Sequence, residues 1–424
     1  MDKKEQAIKK TRELINSETF KEKHRTSEKF FTRTRKLFFS LLVVIILRKS
    51  VKSMQLILNE LSMELDMEPM TSGALTKARA KLKHTAFIEL NHEAIVKVCY
   101  EDGNFKRYKG FRVLGIDASK LRLPDKQDVI EEFGQISYQS SNQVEGQHAY
   151  ALASVMYEVL NRIAVNSVLG HARAYEIDLA VKHLEYTQEN DLLLGDREHP
   201  SYRFLATLIN KHRHFVMNCS TKSFAIARAM LKGEGADSQT VTLKPPRHGL
   251  KEIQALSKPE EITVRFVRVV LDTGENKVLV TSLTNEQIWP IAEFKEIYWL
   301  RWGSESFYDI LKTRLELENF TGQTAEFVYQ DFYATIYLTG LGSILTADAN
   351  AELAEKDVCY PQQVNHVASF NAIKNKAIEI LFNENNVDLV LVLEKLNKIF
   401  LTNPTGIKRG QNRSATKKFF KKIT

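Results

Sequence analysis

The chain has 424 residues, of which 43% are hydrophobic and 26% charged, and carries a net charge of +8. These values suit a globular chain of about three domains and exclude a largely disordered or fibrous one. Its three cysteines, Cys99, Cys219 and Cys359, lie far apart with no CxxC or Cys/His cluster. That speaks against a structural zinc site or a disulfide framework, and it suits a reducing cytoplasm.

The excess charge sits at the ends. Residues 1–36 hold twelve Lys/Arg against six Asp/Glu, and residues 408–424 hold Lys408, Arg409, Arg413, Lys417, Lys418, Lys421 and Lys422 with no acid. Such ends are either solvated tails or attractors of polyanions, nucleic acid above all. The longest apolar run, Leu37–Leu47, is broken by Ser40. It is shorter than the about 20 residues that span a bilayer. It also follows a long charged stretch unlike any signal peptide. A buried helix is expected there, and no membrane partner.

Residues 1–105 read as helical. Met54, Leu58, Leu61 and Leu65 share one helix face, and the stretch Asp66–Pro69 breaks that helix. Thr71, Ser72 and Gly73 start another, with Ala74, Leu75, Ala78 and Leu82 inward and Lys77, Arg79, Lys81 and Lys83 around it. Helix, short turn and basic helix is the pattern of a helix-turn-helix, and it makes Arg79 a candidate for contact with DNA bases.

The middle of the chain alternates strands and helices. Phe111–Ile116 is a strand running into Asp117, and Tyr150–Val159 and Arg162–Leu169 are strands joined at Leu160-Asn161. Asp178–Gln188 is a helix. Asp191–Leu194 is a short strand ending in Gly195-Asp196, a helix spans 202–211, and His214–Asn218 is another strand. From 241 to 283 the chain is β-rich. Ile262, Val264 and Phe266 alternate, and the phase slips at Val267-Arg268, which implies either a bulge or a strand buried on both faces. Asp272-Thr273-Gly274 supplies a turn into Lys277–Thr281. Residues 291–318 and most of 325–400 return to helix. Leu338, Leu341, Ile344 and Leu345 form one apolar stripe, and Leu389, Val390, Val392, Leu393 and Leu396 another, both expected as internal core.

Asp117 and Asp196 each stand just beyond an apolar strand. If those strands are neighbours, the carboxylates converge, and a hard cation such as Mg²⁺ relieves their repulsion; alternatively each is a turn-forming Asp. On a helix, Tyr298, Arg301, Glu305 and Lys312 fall within an arc of about 60°. A surface Arg301–Glu305 pair explains two of these four residues and leaves the others unexplained.

These residues match a known signature. The series Tyr298, Arg301, Glu305 and Lys312 has the Y-x2-R-x3-E-x6-K spacing of IS4-family transposases, which the chain resembles over residues 70–320. The blocks around Gly115-Ile116-Asp117 and Gly195-Asp196-Arg197 resemble the family's first two acid blocks, with Glu198 and His199 replacing a usual Gly and aromatic. The resemblance implies an α/β fold with an RNase H-like mixed sheet flanked by helices and an antiparallel β insertion at about 220–290. It implies a helical N-terminal region at 1–105, a core at 106–325 and a helical C-terminal region at 326–424.

It further implies that Asp117, Asp196 and Glu305 are catalytic and hold two divalent metals, Mg²⁺ or Mn²⁺. Tyr298, Arg301 and Lys312 would contact DNA phosphates, and two copies of the chain would pair two element ends as a homodimer. Trp299 and Trp302 either stack an extruded base or pack the helix. Glu198, His148 and His199 are not assigned to the site, and Asp125 is assigned to a turn. The activity so implied is DNA cleavage at element ends and transfer of the 3′-hydroxyl strand into target DNA. A nuclease without strand transfer, or a DNA-binding protein without catalysis, are the alternatives.

Overall fold

The computed structural model describes residues 2–33, 35–49, 52–140, 143–246, 261–358, 360–382 and 388–406. The basic stretch from Lys408 onward lies outside them. The chain divides into two units, one from the described residues of 1–105, 120–151 and 309–411, the other from 106–119 and 152–308.

Nine strands in chain order make the main sheet: β1 (Arg112–Arg122), β2 (Gln135–Ser140), β3 (Gln143–Glu158), β4 (Ile163–His171), β5 (Asp191–Gly195), β6 (His214–Asn218), β7 (Ser238–Leu243), β8 (Ile262–Val270) and β9 (Asn276–Thr281). In the second unit the order is β4-β3-β1-β5-β6-β9-β8-β7. The first five strands of this order form the RNase H-like arrangement. Val159 N–H donates to Val113 at 3.1 Å, and a tight turn with Arg162 at φ 61° leads from β3 to β4. That turn can join only antiparallel neighbours. β5 and β6 then add parallel to β1, with Ile116 opposite Gly195 and Gly195 opposite Met217.

The insertion is antiparallel. β9 pairs with β6, β8 with β9, and β7 with β8. The phase slip needs no bulge: β8 runs in unbroken register against both neighbours. Val264, Arg265, Phe266 and Val267 are all buried, so the strand is covered on both faces. Arg265 is held in this buried place by donating to the Trp289 carbonyl at 2.6 Å and to the Ser238 hydroxyl at 2.8 Å.

One face of this sheet carries Val113, Leu192, Leu194, Val216, Val267 and Leu279, packed with Phe294, Ile297 and Tyr298 of the helix Ile291–Leu300. Side chains alternate along a strand. Asp117 therefore continues the face of Val113, Asp196 that of Leu194, and Asn218 that of Val216. At the opposite end of the β1–β5 pair, Arg112 meets Asp191 through two bonds of 2.8 and 2.7 Å. Both are buried and directly opposed in register, so this pair fixes which residues stand side by side at the far end.

The first unit is helical. Its apolar helix Phe39–Leu47 is buried along its whole length, as the run Leu37–Leu47 implied. It packs against Lys3–Asn16, Ala377–Leu381 and the 21-residue helix Ala325–Leu345. Thr11 and Tyr337 hydroxyls meet at 2.8 Å in that core. Leu338, Leu341, Ile344 and Leu345 are buried, as internal stripes should be, whereas Val390 is exposed and Val392 and Leu396 are buried. Within the same unit Gln135 of β2 opposes Ala149 of β3. Among the described residues no helix is long and apolar enough to cross a membrane.

Candidate active site

The two aspartates are brought together by strand register. Ile116 opposes Gly195 on parallel strands, so the next residues, Asp117 and Asp196, stand side by side where the β1–β5 pairing stops. Strand neighbours lie about 4.8 Å apart. Gly195 has no room for a side chain, because a Cβ there would collide with the Met217 sulfur. The third acid comes from the helix Trp302–Asp309. Its close approach to β1 depends on Gly115, where a Cβ would meet Ser304 at 3.0 Å. Ser304 precedes Glu305, so this contact sets the acid beside the strand ends. Tyr308, one turn on, caps the arrangement, its hydroxyl 2.7 Å from the Ala153 carbonyl and 3.1 Å from that of Asp117.

Arg301 links the acids. Its guanidinium lies 2.5 Å from Glu305 and 3.6 Å from Asp196. The side chain is 7% exposed, against 37% for Asp196 and 34% for Glu305. It is seated over the rings of Tyr298 and Trp302, 5.5 and 5.4 Å from their centres. Asp117 accepts from the Ala118 N–H at 2.9 Å. Burial, helped by the charges of Glu305 and Asp196, nevertheless pushes its carboxyl up to about 7, against the opposing pull of that N–H and Arg301. Three acids and one arginine thus form a single electrostatic cluster.

The remaining expected residues distribute as follows. Tyr298 is buried in the core and provides the seat for Arg301. Trp299 packs partly buried against that core, and Trp302 is 38% exposed. Lys312 belongs to the other unit, where its ammonium donates to the Lys120 carbonyl at 2.6 Å. Arg79 is a correction: it is 3% exposed, and its guanidinium is spent on Asp331, Gln330, Thr321 and the Phe327 carbonyl. A guanidinium so committed anchors the helix Ser72–Arg79 to Ala325–Leu345 and does not reach a duplex. Glu198 is exposed. His199 is buried, and burial lowers its pKa to about 4. Asp125 accepts from His148 and from the Ala149 N–H.

Sequence reasoning missed Asn218. It is 1% exposed and donates through Nδ2 to Asp196 at 3.3 Å. A signal was present: Gly195-Asp196 and Met217-Asn218 each close a short apolar strand with a polar residue, as Ile116-Asp117 closes the apolar part of β1.

A fold of this strand order, with one acid within β1 where its pairing with β5 stops, one just beyond β5 and a third on a following helix, is of the RNase H-like kind. The chain belongs to the IS4-type DDE transposases, the family profile described as Transposase DDE domain matching residues 108–338. Over 234 residues it is 24% identical to the Transposase InsG for insertion sequence element IS4 of Escherichia coli (strain K12), a match covering 54% of this chain and 50% of that one. The chain thus spans about half the length of that curated relative. Among solved structures, the cryo-EM structure of the piggyBac transposase synaptic complex with hairpin DNA is similar over 97% of this chain and 89% of that one, with 9% identity and a TM-score of 0.48.

The donor set can be tested against the divalent cation this family implies. Carboxylate oxygens are the ligands such a cation takes; burial is the main reason the Asp117 carboxyl is raised, and the lesser share from Glu305 and Asp196 is the repulsion a cation relieves. The residues fit in kind. Among the described residues no three metal-binding side chains are close enough to hold an ion as they stand; here Arg301 neutralises two of the acids instead.

Proposed function

We propose that this chain is a DNA transposase that cuts strands at the ends of its element and joins the 3′-hydroxyl end to target DNA. The observation that carries the reading is the cluster of Asp117, Asp196 and Glu305 around Arg301 where the β1–β5 pairing stops. The three carboxylates would hold divalent cations, Mg²⁺ or Mn²⁺, two of them by family resemblance, which when bound supply positive charge to a phosphodiester under attack.

The chain's own residues do the rest. Asp117 and Asp196 are presented by a fixed register, and Glu305 by a helix seated on Gly115, so their oxygens are preorganised. Arg301, already desolvated on two aromatic rings, offers a planar fork that matches a phosphate. Tyr298 acts through Arg301, by holding it. Lys312 adds a second point charge for DNA.

Contact with the flanking DNA is assigned to the first unit. A cavity of about 800 Å³ there is lined by Lys29, Arg33, Arg35, Lys36, Lys77 and Lys81, with no acid among its lining residues. Lys81 sits 5.1 Å from the centre of the Phe30 ring, and Phe31 packs edge-on against Phe39. These rings form the walls, and the cations face a polyanion. Two copies pairing two element ends would complete the assembly.

The test incubates the full chain with Mg²⁺, a duplex bearing the DNA that flanks its gene, and a supercoiled plasmid. Joined duplex and plasmid support the proposal. Cutting without joining replaces it with a nuclease, and binding alone with a DNA-binding protein.

A further inference from the structure

Three parallel strands, β1, β5 and β6, lie side by side, and Asp117, Asp196 and Asn218 stand in one row across them, β5 and β6 ending there while β1 runs on to Arg122. Gly195 opposes Met217, so Asn218 stands opposite Asp196 just as Asp196 stands beside Asp117. All three side chains continue the same face of the sheet. Asn218 is held on its other side too: it opposes Leu279 of β9, and the following Cys219 N–H donates to Val278 at 2.8 Å. Its backbone is therefore clamped between two strands.

The side chain does two things. Its amide N–H donates to Asp196 Oδ1 at 3.3 Å, the same oxygen that lies 3.6 Å from Arg301. The carboxylate accepts only, so the amide must present nitrogen on that side. This turns its Oδ1 the other way, where it is buried with no hydrogen-bond partner among the described residues. Buried amide oxygens are ordinarily satisfied; here the amide is held by its bond to Asp196 and not by a bond to its oxygen.

We propose that Asn218 is a fourth member of the acidic site, a positioning residue that fixes the Asp196 carboxylate through its amide N–H. Groups that orient the ligands of a cation from behind are worth about 10–100-fold in cation affinity. This inference rests on the proposed reading that the three acids hold a cation.

The experiment measures Mn²⁺ binding to the full chain without DNA, by the electron paramagnetic resonance of free Mn²⁺, together with the thermal midpoint of the cation-free protein. Asn218→Leu is close in size, and removes both the donor and the unpaired oxygen. It is expected to weaken Mn²⁺ binding by about 10–100-fold while the thermal midpoint is kept or raised. A merely structural role gives the reverse, a lower midpoint with affinity intact. Should the Leu variant not fold, Asn218→Ser, too short to reach Asp196, makes the same comparison. Affinity within about twofold of native in the folded variant overturns the proposal. Asp196→Asn separates this from failure of the underlying reading. If the native chain binds no Mn²⁺, or binds it equally well as Asp196→Asn, the acids are not a cation site and the proposal falls with them.

Discussion

Asp117 is the acid whose chemistry the surroundings alter most. Burial and two neighbouring carboxylates hold its carboxyl at about 7, so near neutral pH it is part protonated. A proton there competes with a cation. Protonation dominates below that value, so Mn²⁺ affinity should fall by up to about tenfold per pH unit below about 7 and level off above it. Calorimetry across that range checks this, and a flat profile would show that Asp117 is not a ligand. Asp117→Asn should bind weakly and without the slope. At this scale the sequence disclosed the charged members of the site. The two aspartates followed apolar strands, and Glu305 lay on one stripe with Arg301. Two other residues were hidden for opposite reasons. Asn218 carries no charge and stands out only once β6 is seen beside β5. Arg79 does carry charge on a basic helix, but its partner Asp331 lies 252 positions away, beyond the reach of any local pattern.

At the scale of elements, the site depends on the register between β1 and β5. Arg112 and Asp191 set it from the far end, as a buried pair with two bonds. Removing one partner leaves the other charged and buried, so Asp191→Ala should cost about 3–5 kcal/mol of stability. Arg112→Met combined with Asp191→Leu should recover most of that loss. Denaturant unfolding of the single and double variants measures both, and a single variant as stable as the native chain would remove the pair from this role. The strands β5 and β6 were legible because each is a short apolar run closed by a polar residue, whereas β1, expected to stop at Ile116, runs on through Asp117 to Arg122. The treatment of the slip in β8 was not legible. Alternation cannot tell a bulge from burial on both faces, and the answer lay in Trp289 and Phe294, which take up the Arg265 side chain from another element.

At the scale of the whole molecule, each unit carries a charged site of its own, acids in the second and cations in the first. The cavity in the first unit presents Lys29, Arg33, Arg35 and Lys36. Replacing all four by Ala should weaken binding to every DNA sequence alike, and flatten the plot of log affinity against log salt by about 0.9 for each phosphate that is no longer neutralised. Fluorescence anisotropy at several salt concentrations reads the slope, and an unchanged slope would assign the DNA contact elsewhere. Packing of the N-terminal helix Lys3–Asn16 rests on contacts such as Thr11 with Tyr337 of Ala325–Leu345 and Arg12 with the Ile380 carbonyl of Ala377–Leu381. No local sequence pattern announces pairs so far apart. The central claim is that Asp117, Asp196 and Glu305 act as one unit on a phosphodiester. Its most direct measurement compares single-turnover strand cleavage by the native chain with that by Asp117→Asn, Asp196→Asn and Glu305→Gln on the same flanking duplex, with binding followed in parallel. Each variant is expected to bind DNA and to lose cleavage by at least about a thousandfold, with no further loss when two are combined. Cleavage at near-native rate by any one of the three would contradict it.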